Sequence, residues 1–137
     1  MIRALEVVIS TGKSIAEFQT QKNKSRDFTI VKIGLELPRE ALYQRINSRV
    51  DQMVQQGLVE EVRGLIAHQE LNALQTVGYK ELFDYFAGKI SLQQAIEAIK
   101  MSTRHYAKRQ MTWFKKDVTI QWTTPDVSQV LRLINDR

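Results

Sequence analysis

The chain has 137 residues, enough for one hydrophobic core, with two prolines, no cysteine and a formal net charge of +5. The lack of cysteine excludes disulfide staples and thiolate metal ligands, and His68 and His105 lie far outside the i, i+3 or i+4 spacing of helical metal ligands. No charge-free run approaches the ~20 apolar residues of a membrane span, and Met1-Ile2-Arg3 does not open a secretory signal.

Arg3 to Val8 has helical composition, and Ser10-Thr11-Gly12 marks its stop. With no N-cap residue ahead of it, this reads as a chain cut inside a helix. Ser14 to Arg26 is polar and reads as a loop. From Phe28, the residues Ile30, Val31, Ile33, Leu35 and Leu37 alternate with Lys32, Gly34 and Glu36, the period of a strand. Pro38 at the first helical position and Glu40 in the first turn open a helix to about Gln56, stopped by Gly57. A second helix is expected from about Val59 to His68. Tyr79, Leu82, Phe83 and Phe86 share one face of a helix ending at Gly88. Ser91 and Gln94 form a capping box that starts the longest helix, to about Lys116. Val118 to Thr123 predicts a short strand, and Thr124-Pro125-Asp126 caps a last helix through Ile134. The fold class is therefore α/β and mostly helical, with about five helices. One strand of central-sheet character and one short strand are too few for an independent sheet, which points to part of a larger one.

Four features bear on chemistry. Thr11-Gly12-Lys13-Ser14 ends like a phosphate-binding P-loop, but Val7 stands where that motif needs its first glycine, so a helix end followed by a polar loop is the better reading. Arg49 falls at about −20° on a wheel that puts Leu42, Ile46 and Met53 at about 0°, 40° and 20°, so it is expected to leave its helix from the apolar stripe. An arginine so placed must find an anion: a buried acid, solvent reached by snorkelling, or a bound phosphate suited to its planar fork. Arg45, one turn earlier at the stripe's edge, is its candidate companion. From Ala98 to Lys116 stand Lys100, Arg104, Lys108, Arg109, Lys115 and Lys116 without one acid, so the net charge is concentrated in one helix. Ile96, Ile99, Thr103, Tyr106, Gln110, Trp113 and Phe114 form its expected core face, and the opposite half, six cations that repel one another, suits a polyanion. Finally, Leu71-Asn72-Ala73-Leu74-Gln75-Thr76-Val77-Gly78 is small, uncharged and flexible enough to set backbone N–H groups against a ligand, or is an ordinary connection between helices.

Together these segments resemble something specific. Ile2-Arg3-Ala4-Leu5-Glu6-Val7 with Thr11-Gly12-Lys13, Arg45-Ile46 with Arg49-Val50-Asp51-Gln52-Met53, and Gly57-Leu58-Val59-Glu60-Glu61-Val62 occur in order. They are followed by Leu74-Gln75-Thr76-Val77-Gly78-Tyr79-Lys80-Glu81 and Thr103-Arg104-His105-Tyr106-Ala107-Lys108-Arg109-Gln110-Met111-Thr112-Trp113-Phe114. The series closely resembles the C-terminal portion of the tRNA dimethylallyltransferase (tRNA isopentenyltransferase) family. The resemblance implies a fragment of a P-loop-kinase-like α/β fold whose whole form is a cytoplasmic, monomeric enzyme. That enzyme moves a dimethylallyl group from dimethylallyl diphosphate to N6 of adenosine 37, a base flipped out of the tRNA anticodon loop. It implies diphosphate contacts from Arg49 and Arg45. It also implies contacts to the tRNA anticodon stem-loop from Leu71, Asn72, Leu74, Gln75, Thr76 and Gly78, and from Thr103, Arg104, His105, Lys108 and Arg109. The family's P-loop, catalytic aspartate, helical insertion and magnesium ligands have no counterpart here, so this portion is expected to be inactive alone. The alternative is a stand-alone helical RNA-binding module without catalysis.

Overall fold

The computed structural model describes residues 2–18 and 27–135. The chain divides into two units, residues 1–30 and 31–137. In the first, α1 (Ile2–Thr11) ends where Gly12 takes φ +68° and donates its N–H to the Val8 carbonyl at 2.8 Å. The Thr11 hydroxyl, bonded to the Val7 carbonyl at 2.6 Å, accepts the Lys13 N–H at 3.3 Å. This is a helix end, as expected, and Val7 lies inside the helix. The polar stretch after it is not wholly loop. Ser14 Oγ accepts the Ala16 N–H and Glu17 Oε1 the Ser14 N–H, at 3.3 and 3.0 Å, and these bonds cap a single helical turn, α2 (Ile15–Phe18). The remainder of that expected loop, residues 19–26, lies outside the described residues.

The second unit runs β1 (Ile33–Leu35), α3 (Arg39–Gln55), α4 (Leu58–Gly64), two short 3-10 turns at Ile66–His68 and Asn72–Leu74, α5 (Tyr79–Phe86), α6 (Leu92–Phe114), β2 (Gln121–Thr123) and α7 (Val127–Asn135). Local signals set most of these bounds. Pro38 stands one residue ahead of α3 as its cap, and Gly57 at φ +103° makes the left-handed turn that separates α3 from α4. The helix expected over Val59–His68 breaks after Gly64, a weak helix former, and continues as 3-10. Both bonds of the α6 capping box form: Ser91 N–H to Gln94 Oε1 at 2.8 Å and Gln94 N–H to Ser91 Oγ at 3.2 Å. Asp126 Oδ1 accepts the Gln129 N–H at 3.0 Å and so caps α7. The described residues thus hold seven α-helices against a total of about five expected, and α2 is the one without a counterpart in the chain-order reading.

The core is helical. Val50 of α3, Leu58 and Val62 of α4, Leu82 and Phe83 of α5, and Ala95 and Ile99 of α6 form one buried cluster. The two strands, expected to be too few for an independent sheet, pair with each other in parallel, Ile33 opposite Gln121 and Leu35 opposite Thr123. The strand anticipated from Phe28 onward is only three residues long, because alternation marks a two-faced segment whereas a ladder can extend only as far as its partner. Gly34 is required at this crossing: a Cβ there would lie 2.6 Å from Trp122 Cε3. No helix among the described residues is long and apolar enough to cross a membrane.

Candidate functional site

α3 and α6 pack tightly at one end and diverge at the other. At the packed end, Val50 and Ile99 are 3% and 2% exposed, and Lys100 bonds Asp51 of α3 at 2.8 Å and Glu97 at 3.1 Å. The Asp51 bond above all, then the Glu97 bond, raises the Lys100 pKa against the opposing pull of desolvation. At the divergent end a cleft of about 610 Å³ opens between β1, the first half of α3 and the second half of α6. Leu35, Arg39, Tyr43, Arg45, Lys108 and Lys115 line it.

The charges of this cleft are unequally matched. Lys115 pairs with Glu36 at 2.6 Å. Arg45 and Lys108 have no hydrogen-bond or ion-pair partner for their side chains among the described residues, and both are exposed. Arg39 Nε donates to the Tyr43 hydroxyl at 3.1 Å, with its guanidinium 5.2 Å from the centre of that ring. Arg104, half-buried, donates from Nη1 to Asn47 Oδ1 at 3.0 Å and stands 5.8 Å from the same ring.

The cation series of α6 is therefore not a uniform free face. Lys100 and Lys115 are neutralised by Asp51 and Glu36, acids contributed by other elements, and by Glu97, which lies just ahead of the acid-free stretch. Arg104 is anchored to α3, and Arg109 lies 5.8 Å from the Tyr106 ring centre. Lys108, Arg109 and Lys116 remain exposed without acid partners among the described residues. The expected core face also fails at its C-terminal end, where Tyr106, Trp113 and Phe114 are 51%, 65% and 42% exposed. Trp113 and Phe114 instead meet edge to face at 4.8 Å and line a second groove with Val31, Ile33, Ile120 and Trp122.

Arg49 is exposed, not aimed at the core, and has no side-chain partner among the described residues. Its wheel position misled because Val50 also belongs to the buried stripe. With Ile46 and Val50 as the buried pair, the stripe centres near about 60°, and Arg49 stands about 80° away on its flank. Arg45 and Lys108 share the cleft, whereas Arg49 does not line it.

The segment Leu71–Gly78 is a braced turn rather than a loose one. Leu74 and Gln75 donate their N–H groups to the Leu71 and Asn72 carbonyls at 2.9 and 3.2 Å, and Gln75 Nε2 donates to the Gln69 carbonyl at 2.6 Å. Gly78, at φ +102°, donates its N–H to Glu81 Oε2 at 2.8 Å. These N–H groups are spent internally, which removes them from the set expected to face a ligand. Leu71, Asn72, Gln75 and Thr76 stay exposed, while Leu74 packs on the core. The Tyr79 hydroxyl donates to Glu61 of α4, and that bond, with burial and the carboxylate's charge behind it, raises the phenol's pKa. Thr103 spends its hydroxyl on the Ile99 carbonyl at 2.8 Å, and His105 is exposed with no side-chain partner among the described residues.

Arg39, Tyr43 and Asn47 were not foreseen. Their i, i+4 spacing along α3 is a signal that an apolar wheel passes over, since none of the three is aliphatic. Among the described residues no group of three or more His, Asp or Glu could hold a metal ion.

The profile of the family described as IPP transferase matches residues 1–117. A tRNA dimethylallyltransferase 1 of Bacteroides thetaiotaomicron is 50% identical over 139 residues, covering 98% of this chain and 45% of that protein. A tRNA dimethylallyltransferase of Christiangramia forsetii is 55% identical over 122 residues, covering 89% of this chain and 40% of that protein. The crystal structure of a tRNA delta(2)-isopentenylpyrophosphate transferase from Staphylococcus epidermidis superposes with a TM-score of 0.71 at 34% identity, over 99% of this chain and 48% of that one. The full-length tRNA isopentenylpyrophosphate transferase of Bacillus halodurans gives the same TM-score, 0.71, at 36% identity, over 98% of this chain and 42% of that one. The chain thus spans under half the length of each of these relatives.

Proposed function

The chain belongs to the IPP transferase family, and from that premise we propose that it is the C-terminal part of a tRNA dimethylallyltransferase. The whole enzyme, a cytoplasmic monomer in this reading, transfers a dimethylallyl group from dimethylallyl diphosphate to N6 of adenosine 37 in tRNA. In that reaction the bond from the dimethylallyl carbon to the diphosphate oxygen breaks and a bond from that carbon to N6 forms. The N6 proton is released, an aspartate of the whole enzyme deprotonating or positioning N6, and diphosphate leaves. The target base must leave its stack to meet the allyl carbon, so the protein has to grip the anticodon stem-loop as well as the small substrate.

The observation that carries this reading is the basic cleft between α3 and α6, with Arg45 and Lys108 unpaired on its walls. Free guanidinium and ammonium groups suit substrates that are both phosphate-bearing. Arg45 and the exposed Arg49 are assigned to the diphosphate. The exposed residues of Leu71–Gly78 are assigned to the anticodon loop, together with Thr103, Arg104, His105, Lys108 and Arg109 of α6. The P-loop of the whole enzyme, its catalytic aspartate and any magnesium ligands lie outside this set, so the chain alone is expected to be inert. The test is a transfer assay with labelled dimethylallyl diphosphate and an A37-containing anticodon stem-loop, run on this chain and on the longer enzyme. Product only from the longer form supports the reading; turnover by this chain alone overturns the assignment of chemistry elsewhere. In the longer form, Arg49→Ala is expected to raise the KM for dimethylallyl diphosphate, and unchanged kinetics for that substrate would remove Arg49 from the site.

A further inference from the structure

Two arginines share one tyrosine, and neither is matched by a carboxylate; Arg39 and Tyr43 line the cleft, and Arg104 reaches the same ring from α6 without lining it. Arg39 and Arg104 come from different helices, yet their guanidinium carbons lie 5.2 and 5.8 Å from the centre of the Tyr43 ring. Both partners that hold them are neutral: the Tyr43 hydroxyl for Arg39 Nε and the Asn47 amide oxygen for Arg104 Nη1. The one carboxylate among the residues lining the cleft, Glu36, is already taken by Lys115. The ring's negative face steadies both cations without cancelling their charge. Fixing two guanidiniums by neutral groups, one of them half-buried, leaves fork N–H donors oriented and unspent, which is the preorganised state that recognition of a planar or tetrahedral oxyanion needs.

We propose that Arg39 and Arg104, positioned by Tyr43 and Asn47, form a phosphate clamp around the Tyr43 ring at the margin of the cleft. Its ligand is a phosphate group, from either an RNA backbone or a diphosphate. Lys108, also on the cleft wall, adds a point charge to the same pole. Arg39, Tyr43 and Asn47 are assigned no role by the family resemblance as read above. The clamp deepens the proposed function and rests on it only for the source of the phosphate.

The test uses the 137-residue chain with two ligands measured separately: inorganic diphosphate by calorimetry and a 5′-labelled anticodon stem-loop RNA by anisotropy. The double variant Arg39→Gln with Arg104→Gln is expected to weaken binding by about tenfold or more, as loss of charge-assisted forks should. Arg39→Lys keeps the charge and is expected not to restore it, since ammonium lacks the fork. Tyr43→Phe, which keeps the ring and frees Arg39 Nε, is expected to weaken binding by about twofold to threefold. Lys89→Gln removes one positive charge from the turn before α6 and is expected to leave diphosphate binding unchanged. Helical circular dichroism and the melting midpoint check that each variant is folded; Arg39→Gln alone, at an exposed position, serves if the double variant is not.

Loss of diphosphate binding alone identifies the small substrate as the source, loss of RNA binding alone identifies the backbone, and loss of both identifies a site that takes either. Variants that bind both ligands like the wild type overturn the clamp and remove Arg104 from the tRNA contacts, while RNA binding by the wild-type chain keeps the RNA reading for the other residues. A wild-type chain that binds diphosphate but not RNA keeps the clamp and counts against the RNA reading, and one that binds neither overturns the clamp. Equal weakening by Lys89→Gln, or full binding by Arg39→Lys, reduces the site to net charge and overturns it as well.

Discussion

The two halves of α6 start from the same sequence pattern, an apolar stripe opposite polar and basic residues, and meet different fates. In the first half Ala95 and Ile99 are buried, and Lys100 is closed off by Asp51 and Glu97 until its side chain is 12% exposed. In the second half Tyr106, Trp113 and Phe114 stand exposed beside Lys108, Arg109 and Lys116. Helices α3, α4 and α5 pack on the first half; the second is bordered by the start of α3, by β1 and β2, and by two open grooves. Amphipathicity states which side of a helix prefers burial, but whether burial is reached depends on what other elements bring. The half that packs supplies stability, and the half left open carries every α6 cation assigned to recognition except Arg104, which joins the two.

This contrast is broken most directly in the core. Leu82 is fully buried among α4, α5 and α6, so Leu82→Ala is expected to cost about 3 kcal/mol in denaturant unfolding. Trp113→Ala, on the open half at 65% exposure, is expected to cost less than about 1 kcal/mol despite removing a far larger side chain. Comparable losses from the two would show that the second half of α6 is as much a structural element as the first.

The same contrast explains what could be read from the sequence. Features written within a few residues were legible: the Ser91/Gln94 box, the Gly57 stop, the Asp126 cap and the helix end at Gly12. Pairings distant in sequence were not. Nothing local to Ile33 announces Gln121 as its neighbour, and nothing in the acid-free stretch of α6 announces Asp51 or Glu36 as partners of its lysines. Arg49 was misplaced for a related reason, since a wheel through Leu42, Ile46 and Met53 leaves out Val50, one of the two buried residues that centre the stripe. The candidate site was legible as residue types and order, through the resemblance. The Arg39–Tyr43–Arg104 arrangement was not, because it exists only once α3 and α6 are packed.

On the open half, the expected effect is on binding rather than folding. In the longer enzyme, Arg104→Ala with Lys108→Ala is expected to weaken tRNA binding by about tenfold and to lower the slope of log affinity against log salt by about one to two. An unchanged salt slope would mean that these cations do not meet phosphates. A smaller effect is expected where the packed half is pinned. Asp51→Asn removes the stronger partner of Lys100 and should cost about 1 kcal/mol, Glu97 keeping part of the pairing. Because the Lys100 pKa is raised on folding, its contribution is fully present below the ordinary lysine range and is lost as pH rises through the higher folded value. The gap between wild type and Asp51→Asn, read by urea midpoints, should therefore close in strong alkali.

The smallest effect belongs to the junction where the open half ends. Asp117, just past α6, accepts Lys32 Nζ at 2.7 Å and also the Thr119 hydroxyl and N–H at 2.6 and 3.0 Å. The lysine bond first, then the two Thr119 bonds, lower its carboxyl pKa to about 2. A depressed carboxyl stabilises the folded state above its unfolded pKa, and that contribution is lost as pH falls from the ordinary aspartate range toward about 2. The group is partly exposed and screened by solvent, so the effect is expected to be slight and salt-sensitive. Asp117→Asn should accordingly flatten only the lowest-pH part of the acid unfolding curve and shift the neutral melting midpoint little. A large neutral shift would mean that the Lys32–Asp117 bridge fastens the β1–β2 pair to the end of α6, giving the open half a structural anchor that its exposure does not show.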